Sequence, residues 1–319
     1  MQSDVILKVE DLDVNLNNVQ ILKDINLKIY NSEILSLVGP SGSGKTTLIM
    51  TLLGLIKPSG GDVLFAHKTK KGIVFKSIFD HLDYFRSHVG FSSQESSFYK
   101  KLSVQENLEF FGAMYSLPRD VIRQRTTILL DLFELKEHKN KIVDELSGGM
   151  KKRLDLAIAL IHNPLILMLD EPTSELDPVL RKEMWYFIKK INSRGKTIIL
   201  SSHFINDMES VADRIALLSN QKITLLGTPT EIRERMGLLD QIIIETLPGN
   251  YDELLKTFYT SPKIGLKNHK HNFNNLVLLV EDSHKALVEI VKILENASEK
   301  IVNLEVRKPP LEELFEFIS

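Results

Sequence analysis

The sequence predicts an α/β protein whose main sheet is parallel, followed by a small α+β domain. Three observations predict it. The glycine-rich stretch GPSGSGKT, residues 39–46, lies between the apolar run EILSLV and the helical run TTLIMTLLGLI. LILMLD, residues 165–170, is short and almost wholly apolar, as a strand covered on both faces must be. Near residues 236–240 the pattern gives way to three further strand-like runs with helical runs between and after them.

In order, VILKVEDLDV, ILKDINLKI and EILSLVG read as strands, and TTLIMTLLGLI as a helix ending before Lys57-Pro58-Ser59-Gly60-Gly61. Residues 66–86 are polar and lysine-rich and read as surface. SVQENLEFFGAMYSL and Arg119 to Leu135 read as helices, the first opened by a capping box of Ser103 with Glu106. LILMLD is a strand, 178–192 a helix, TIILSSH a strand, and DRIALLSNQKITLLG a terminal hairpin, with a helix opening at Thr228-Pro229. Beyond the boundary, QIIIETL, LVLLVED and KIVNLEV are strands, while DELLKTF, HKALVEIVKILENA and PLEELFEFI are helices. They form an α+β unit with at least one βαβ. The expected domains are 1–235 and 236–319.

Composition narrows the function classes. With 319 residues, 43% hydrophobic and 26% charged, the chain can bury a sizeable core. A net charge of −2 gives no basic surplus for nucleic acid. The absence of cysteine rules out disulfides, thiolate zinc sites and a cysteine nucleophile, and fits a reducing compartment. MQSDVILKVEDLDV lacks the basic-then-apolar pattern of a secretion signal, and no apolar run approaches 18 residues. The expectation is a soluble chain, or one held at a membrane by something it binds.

GPSGSGKT matches G-x-x-x-x-G-K-[ST] in the required strand–loop–helix context. Its glycines let backbone N–H groups converge on a phosphate. Lys45 can reach the β- and γ-phosphates, and Thr46 can place a hydroxyl on Mg²⁺. Gly39, Pro40, Ser41, Gly42, Ser43, Gly44 and Thr47 complete the candidate nucleotide loop.

LILMLDEPTSELD supplies two carboxylates at a strand end. Asp170 is placed to hold Mg²⁺ through its water shell. Glu171 points to the opposite side of the strand and can orient an attacking water. His203, at the end of IILSSH, can hydrogen-bond a γ-phosphate, and Gln94 follows the short strand VGFS.

LSGGMKKRLDLAIAL, residues 146–160, is a helix whose head is a serine and two glycines. Glycines weaken a helix, so such a head makes sense where N–H groups must face an anion.

In this order, the phosphate loop, Gln94, LSGGM at 146–150, D-E-P-T at 170–173, S-x-L-D at 174–177 and His203 resemble the ATP-binding cassette (ABC) ATPases, over about residues 4–235. The resemblance implies a phosphate-loop NTPase (RecA-like) core with an antiparallel β subdomain and a helical signature subdomain at about 95–163. It implies ATP and Mg²⁺ as cofactors, with Thr46, Gln94 and Asp170 at the metal, and Lys45, Gln94, Glu171 and His203 in catalysis. Family members pair head to tail, so Ser147, Gly148 and Gly149 would serve the nucleotide held by the partner's loop. Ser174 and Asp177 would lie in the loop that crosses the dimer interface. The chain would thus carry two anion-binding helix starts because each serves a different nucleotide.

The sequence departs from the family pattern in three places. Leu16 aligns where many members stack an aromatic ring on adenine, leaving Val19 or Ile21 for apolar contact. Met150 ends the signature where glutamine is commoner. Glu175 stands where a small residue is usual. LSGGMKKRLDLAIALIHNP and PPLEELFEFIS resemble the drug- and sodium-export-type branch. There the membrane subunit is a separate chain, and a C-terminal accessory domain is common.

This implies an ATP-hydrolysing homodimer or ABC heterodimer, peripheral on the cytoplasmic face of the membrane. It would power an integral membrane subunit, in the direction of export, and would have no nucleic-acid partner. The docking groove would be lined from about Phe91 to Tyr115, with one or two of Phe98, Tyr99, Phe110 and Phe111 at its surface. The alternative is a soluble, non-transport ABC ATPase of the mechanical or nucleic-acid-linked class. Such proteins usually show coiled-coil insertions or fused cassettes, which this sequence lacks. A non-catalytic regulatory subunit would require Glu171 or His203 to be lost, and both are present. His269 and His271, in NHKHN, read as surface residues of a polar loop.

Overall fold

The structure, a computed structural model, describes residues 5–69, 72–235, 239–271 and 275–308. The chain divides into two compact units, Met1–Pro229 and Thr230–Ser319.

The first unit opens with β1 (Val5–Leu16), β2 (Val19–Tyr30), β3 (Ile34–Val38), α1 (Lys45–Leu52), β4 (Gly60–Thr69) and β5 (Gly72–Ser77). Then follow α2 (Leu82–Arg86), β6 (Val89–Ser92), α3 (Val104–Met114), α4 (Arg119–Leu132) and α5 (Gly148–Ala159). It closes with β7 (Ile166–Leu169), α6 (Pro178–Asn192), β8 (Thr197–Ser202), α7 (Ile205–Val211), β9 (Arg214–Ser219) and β10 (Lys222–Gly227).

Two sheets form. An antiparallel one has the order β2-β1-β4-β5, and a six-stranded one the order β10-β9-β3-β8-β7-β6. In the latter, β9, β3, β8, β7 and β6 run parallel, and β10 pairs antiparallel to β9. β3, β7 and β8 are buried at every position, which is why their sequences are continuous apolar runs rather than alternating ones. Leu35, Leu37, Ile49, Leu52, Ile166, Met168 and Ile199 form the shared core with β1 and β2 residues such as Leu12 and Leu22. Open parallel sheets bind ligands at the carboxyl ends of their strands, and every candidate catalytic residue lies there.

Three expectations need correction. Residues 66–86 are not simply surface. They complete β4 and carry β5 and α2, and Ile78 and Phe85 are fully buried. The helix after the phosphate loop stops at Leu52 instead of reaching Ile56, because the chain reverses at Gly54, φ +68°. The helix from Arg119 ends at Leu132, and Glu134 turns left-handed at φ +57°. The Ser103–Glu106 capping box forms as expected, with both reciprocal hydrogen bonds present.

The second unit contains α8 (Pro229–Arg235), which begins at its boundary, then β11 (Asp240–Leu247), α9 (Tyr251–Thr260) and β12 (Leu266–His271). β13 (Leu276–Val280), α10 (Ser283–Asn296) and β14 (Lys300–Arg307) complete it. Its sheet order is β12-β13-β11-β14 with every pair antiparallel. Strands joined through α9 and through α10 are therefore parallel to each other, with one strand between them. This is a pair of split βαβ units, the ferredoxin-like arrangement, rather than a direct βαβ. Its core is Ile242, Ile244, Leu254, Phe258, Leu276, Leu278, Ile290 and Leu294. NHKHN begins on β12 rather than in a loop. His269 Nδ1 lies 2.8 Å from the Tyr259 hydroxyl, and His271 meets the Tyr251 ring edge-on at 5.0 Å. PPLEELFEFIS lies outside the described residues.

Candidate active site

The buried strand β3 ends at Val38, and residues 39–44 turn the chain into α1. Gly44, the residue before the helix, has φ +98°, and a Cβ there would lie 2.8 Å from Leu22 Cδ2. Only glycine fits both constraints. Lys45 is the first helical residue and is buried; its Nζ donates to the carbonyls of Gly39 at 2.9 Å and Pro40 at 3.2 Å. The Ser43 amide donates to the Pro40 carbonyl at 3.2 Å. The loop is thus closed on itself around an ammonium. Burial pushes the Lys45 pKa down, while the Glu171 and Asp170 carboxylates oppose that shift. No side chain caps α1 and no acid lies in its first turn, so its free amides and positive dipole end remain available to an anion.

Asp170 and Glu171 follow β7. Asp170 Oδ1 accepts from the Thr46 hydroxyl at 3.2 Å and from the Ser201 hydroxyl at 2.6 Å. Ser201 Oγ in turn accepts from the Glu171 amide at 2.8 Å. Glu171 adopts φ +50°, an uncommon conformation for a residue with a side chain. Its carbonyl accepts from both the amide and the hydroxyl of Ser174, at 3.1 and 2.9 Å. Held at both ends, it extends Oε2 to within 2.8 Å of His203 Nδ1 and Oε1 to within 3.9 Å of Lys45 Nζ.

A cleft of about 450 Å³ gathers Ile21, Ser41, Gly42, Gly44, Lys45, Thr46, Thr47, Gln94, Glu171 and His203. Ile21 comes from β2 and the others from the ends of β3, β6, β7 and β8, with Asp170 behind Thr46. A hydroxyl (Thr46), a carboxylate (Asp170) and an amide oxygen (Gln94) are hard oxygen donors, the kind Mg²⁺ takes. The donor set fits that ion.

Several predicted residues lie elsewhere. Leu16 is at the tip of the β1–β2 hairpin, paired with Val19 across Asn17 and Asn18, both at positive φ. Ile21, not Leu16, supplies the apolar wall of the cleft. Asp177 caps α6, accepting from the amides of Val179 and Leu180. Ser147 caps α5, accepting from the Met150 amide at 3.3 Å. Neither Ser147, Gly148 nor Gly149 lines the cleft.

The sequence reading missed Ser201, which joins Asp170 to Glu171. The available signal was a pair of hydroxyls, Ser201 and Ser202, closing a fully buried strand. It also missed how α5 grips the chain after β6. Lys152 Nζ donates to the Gln94 carbonyl at 2.8 Å. Asp155, buried, takes hydrogen bonds from Ser96 and Ser97, and burial pushes its pKa up.

A second cleft, about 780 Å³, is lined by Leu53, Leu55, Arg86, Phe91, Met114 and Tyr115, among others. Leu55 and Met114 are exposed large apolar residues there. Phe91 and Tyr115 line it; of the four aromatics singled out, Phe98 is in the core, while Tyr99 and Phe110 pack on each other at 4.7 Å and remain exposed.

The sequence profile of the family described as ABC transporter matches residues 22–174. The Nod factor export ATP-binding protein I of Ralstonia nicotianae is 33% identical, over 71% of this chain and 68% of its own. The linearmycin resistance ATP-binding protein LnrL of Bacillus subtilis is 29% identical over 97% of this chain and 96% of its own. Among solved structures, cbiO1 from Clostridium perfringens, part of the ABC transporter complex cbiONQ, superposes with a TM-score of 0.65. It is 28% identical, over 82% of this chain and 97% of that one. The chain belongs to the ABC transporter family, among its ATP-binding proteins, and its fold is that of a phosphate-loop NTPase. Against several other curated relatives the chain spans only 29–42% of their length. Among the described residues, no helix is long and apolar enough to cross a membrane.

Proposed function

We propose that this chain is the ATP-hydrolysing subunit of an ABC exporter, peripheral on the cytoplasmic face of the membrane, which acts as a head-to-tail dimer on a separate membrane-spanning subunit. The observation that carries the reading is the convergence of Lys45, Thr46, Gln94, Glu171 and His203 on one cleft, with the signature residues outside it.

The loop amides and Lys45 hold the β- and γ-phosphates. Thr46, Gln94 and Asp170 would hold Mg²⁺, which supplies charge neutralisation when bound. Glu171 orients the water that attacks the γ-phosphorus; the bond to the β,γ-bridging oxygen breaks and ADP leaves. His203, fixed through Nδ1, turns its other nitrogen to the γ-phosphate. Ser147, Gly148 and Gly149 complete the site of a partner copy, as the open space around Gly148 supports. Ser174 and Asp177 bring their loop to that same interface. The apolar cleft of Leu55, Phe91, Met114 and Tyr115 suits a helix of the membrane subunit. Export is favoured by the relatives named for resistance and for export.

Two measurements test the reading. Glu171→Gln should abolish turnover, keep ATP affinity, and trap a dimer on a sizing column with ATP and Mg²⁺; hydrolysis near the wild-type rate would reject Glu171. Ser147→Arg should leave ATP binding by the single subunit almost unchanged yet block ATP-dependent association. Mixed with Lys45→Ala, it should regain association, because one site then has an intact loop facing an intact signature. Loss of ATP binding by the isolated Ser147→Arg subunit would place the signature's role in cis.

A further inference from the structure

We propose that Arg181, on α6, is a positioning residue for His203, holding the turn after β8 so that the imidazole meets Glu171. The inference rests on the hydrolytic reading above.

Within its own turn, the backbone beside His203 is held by a hydrogen bond from the Phe204 amide to Ser202 Oγ at 2.9 Å, which leaves the imidazole itself free to turn. β8 ends at Ser202, the His203 side chain is 46% exposed, and its ring hydrogen-bonds, among the described residues, to Glu171. The following helix, α7, has seven residues and no side-chain cap. Helices this short do not hold themselves in water. The restraint comes from α6. The Arg181 guanidinium lies over the Phe204 ring, 3.6 Å from its centroid, and the Phe204 ring is 4.0 Å from that of His203. Stacking of a planar cation on an aromatic face is favourable and strongest when partly desolvated. Arg181 Nε is buried without a hydrogen-bond partner among the described residues, a cost tolerated while the guanidinium keeps this pose. In the first turn of α7, Asp207 Oδ2 accepts from the Trp185 indole N–H at 3.1 Å and lies 3.6 Å from Arg181 Nη1. Two donors one helical turn apart on α6 therefore grip one carboxylate on α7.

The same helix also anchors Glu171. Arg181 Nη2 donates to the Leu176 carbonyl at 3.5 Å, and Asp177 caps α6 two residues before Val179. The loop that leaves Glu171 thus ends on α6, and the turn that carries His203 is clamped to α6. One helix sets the separation of the two groups. Since a carboxylate only accepts, His203 Nδ1 donates in that contact, which leaves Nε2 for the cleft. Loss of the clamp lets the imidazole swing away while the phosphate loop stays intact.

The test compares the full chain with Arg181→Met, which keeps the stem and removes the planar cation, with Arg181→Lys, and with Phe204→Leu. Arg181→Met should lower kcat about ten- to a hundredfold, the scale of a small misplacement, with KM for ATP within about twofold. Arg181→Lys, which keeps a charge for Asp207, should recover part of the loss. Phe204→Leu should reproduce the loss. Placed on His203→Ala, none of these changes should lower the residual turnover further. The hydrogen-bonded Nδ1–H proton of His203, observed by NMR with labelled histidine, should be present in the wild type and absent in Arg181→Met. Losses that multiply with His203→Ala, or an unchanged Nδ1–H signal, would overturn the proposal. If Arg181→Met does not fold, Phe204→Leu decides by the same two readouts. If the wild type binds ATP without hydrolysing it, the hydrolytic reading fails, and the Nδ1–H signal alone then judges the positioning role.

Discussion

Ser201 shows how much one hydroxyl can organise. It donates to Asp170 and accepts from the Glu171 amide, so it fixes Asp170 and the left-handed turn at Glu171 together. Ser201→Ala leaves a buried amide without a partner and should cost about 1–3 kcal/mol of stability. It should also lower turnover while ATP affinity, set by the Lys45 loop, changes little; denaturant unfolding and steady-state hydrolysis read the two effects. His162 is a second residue of this kind. Its ring stacks on Tyr115 at 3.7 Å, and Nε2 lies 3.0 Å from the Val89 carbonyl. Burial, opposed by that hydrogen bond, holds its pKa down at about 4, against 6.5 for a free histidine. The unfolded chain therefore binds the proton first. The contribution of His162 is fully present above pH 6.5 and is lost as pH falls toward 4, up to about 3 kcal/mol for a shift of this size. His162→Phe should flatten the stability profile between pH 7 and pH 4 relative to wild type, as seen in denaturant midpoints. Equal slopes for the two proteins would mean that the histidine is protonated while folded.

At the scale of elements, legibility followed burial. β3, β7 and β8 are covered on both faces, so continuous apolar runs announced them, and the charged or glycine-rich residues at their ends announced the site. β4 and β5 were hidden because GDVLF and GIVF are short and lie on either side of the lysine-rich stretch HKTKK, and the pairing of the two strands is a tertiary fact. β12 reads LKNHKH and is a strand because β13 pairs with it, not because of its own pattern. The clamp of Arg181 on Phe204 joins residues 23 apart, with no local signal. The head of α5 was legible as an oddity, and its two glycines prove unequal. A Cβ on Gly149 would lie 3.0 Å from Leu180 Cδ2, whereas one on Gly148 would meet nothing within 4 Å. Packing explains Gly149 and leaves Gly148 unexplained within the chain. Gly148→Ala should therefore be neutral or stabilising by up to about 1 kcal/mol, more favourable than Gly149→Ala, and yet should impair ATP-dependent association and turnover. Thermal unfolding beside hydrolysis separates the two outcomes. Full activity in the Gly148→Ala protein would show that no phosphate approaches this amide.

Across the whole molecule, the two units draw on different cores. The first packs Leu35 and Leu37 of β3 with Ile49 of α1, and the second packs α9 and α10 on Ile242, Ile244 and Leu278. Each has the size and the apolar interior of a domain that can fold by itself. All residues lining the cleft of Lys45 and Glu171 belong to the first unit. A ligand stabilises only the state that binds it, by about 2.7 kcal/mol at a hundred times its Kd. Calorimetry of the full chain should therefore show two transitions. ATP with Mg²⁺, on the Glu171→Gln protein so that nucleotide persists, should raise one of them by a few degrees and leave the other in place. Lys45→Ala should abolish that shift, because the ammonium that closes the loop on Gly39 and Pro40 is gone. A single transition that moves as a whole would mean that the ferredoxin-like unit unfolds together with the ATPase domain, and nucleotide occupancy would then be felt throughout the chain.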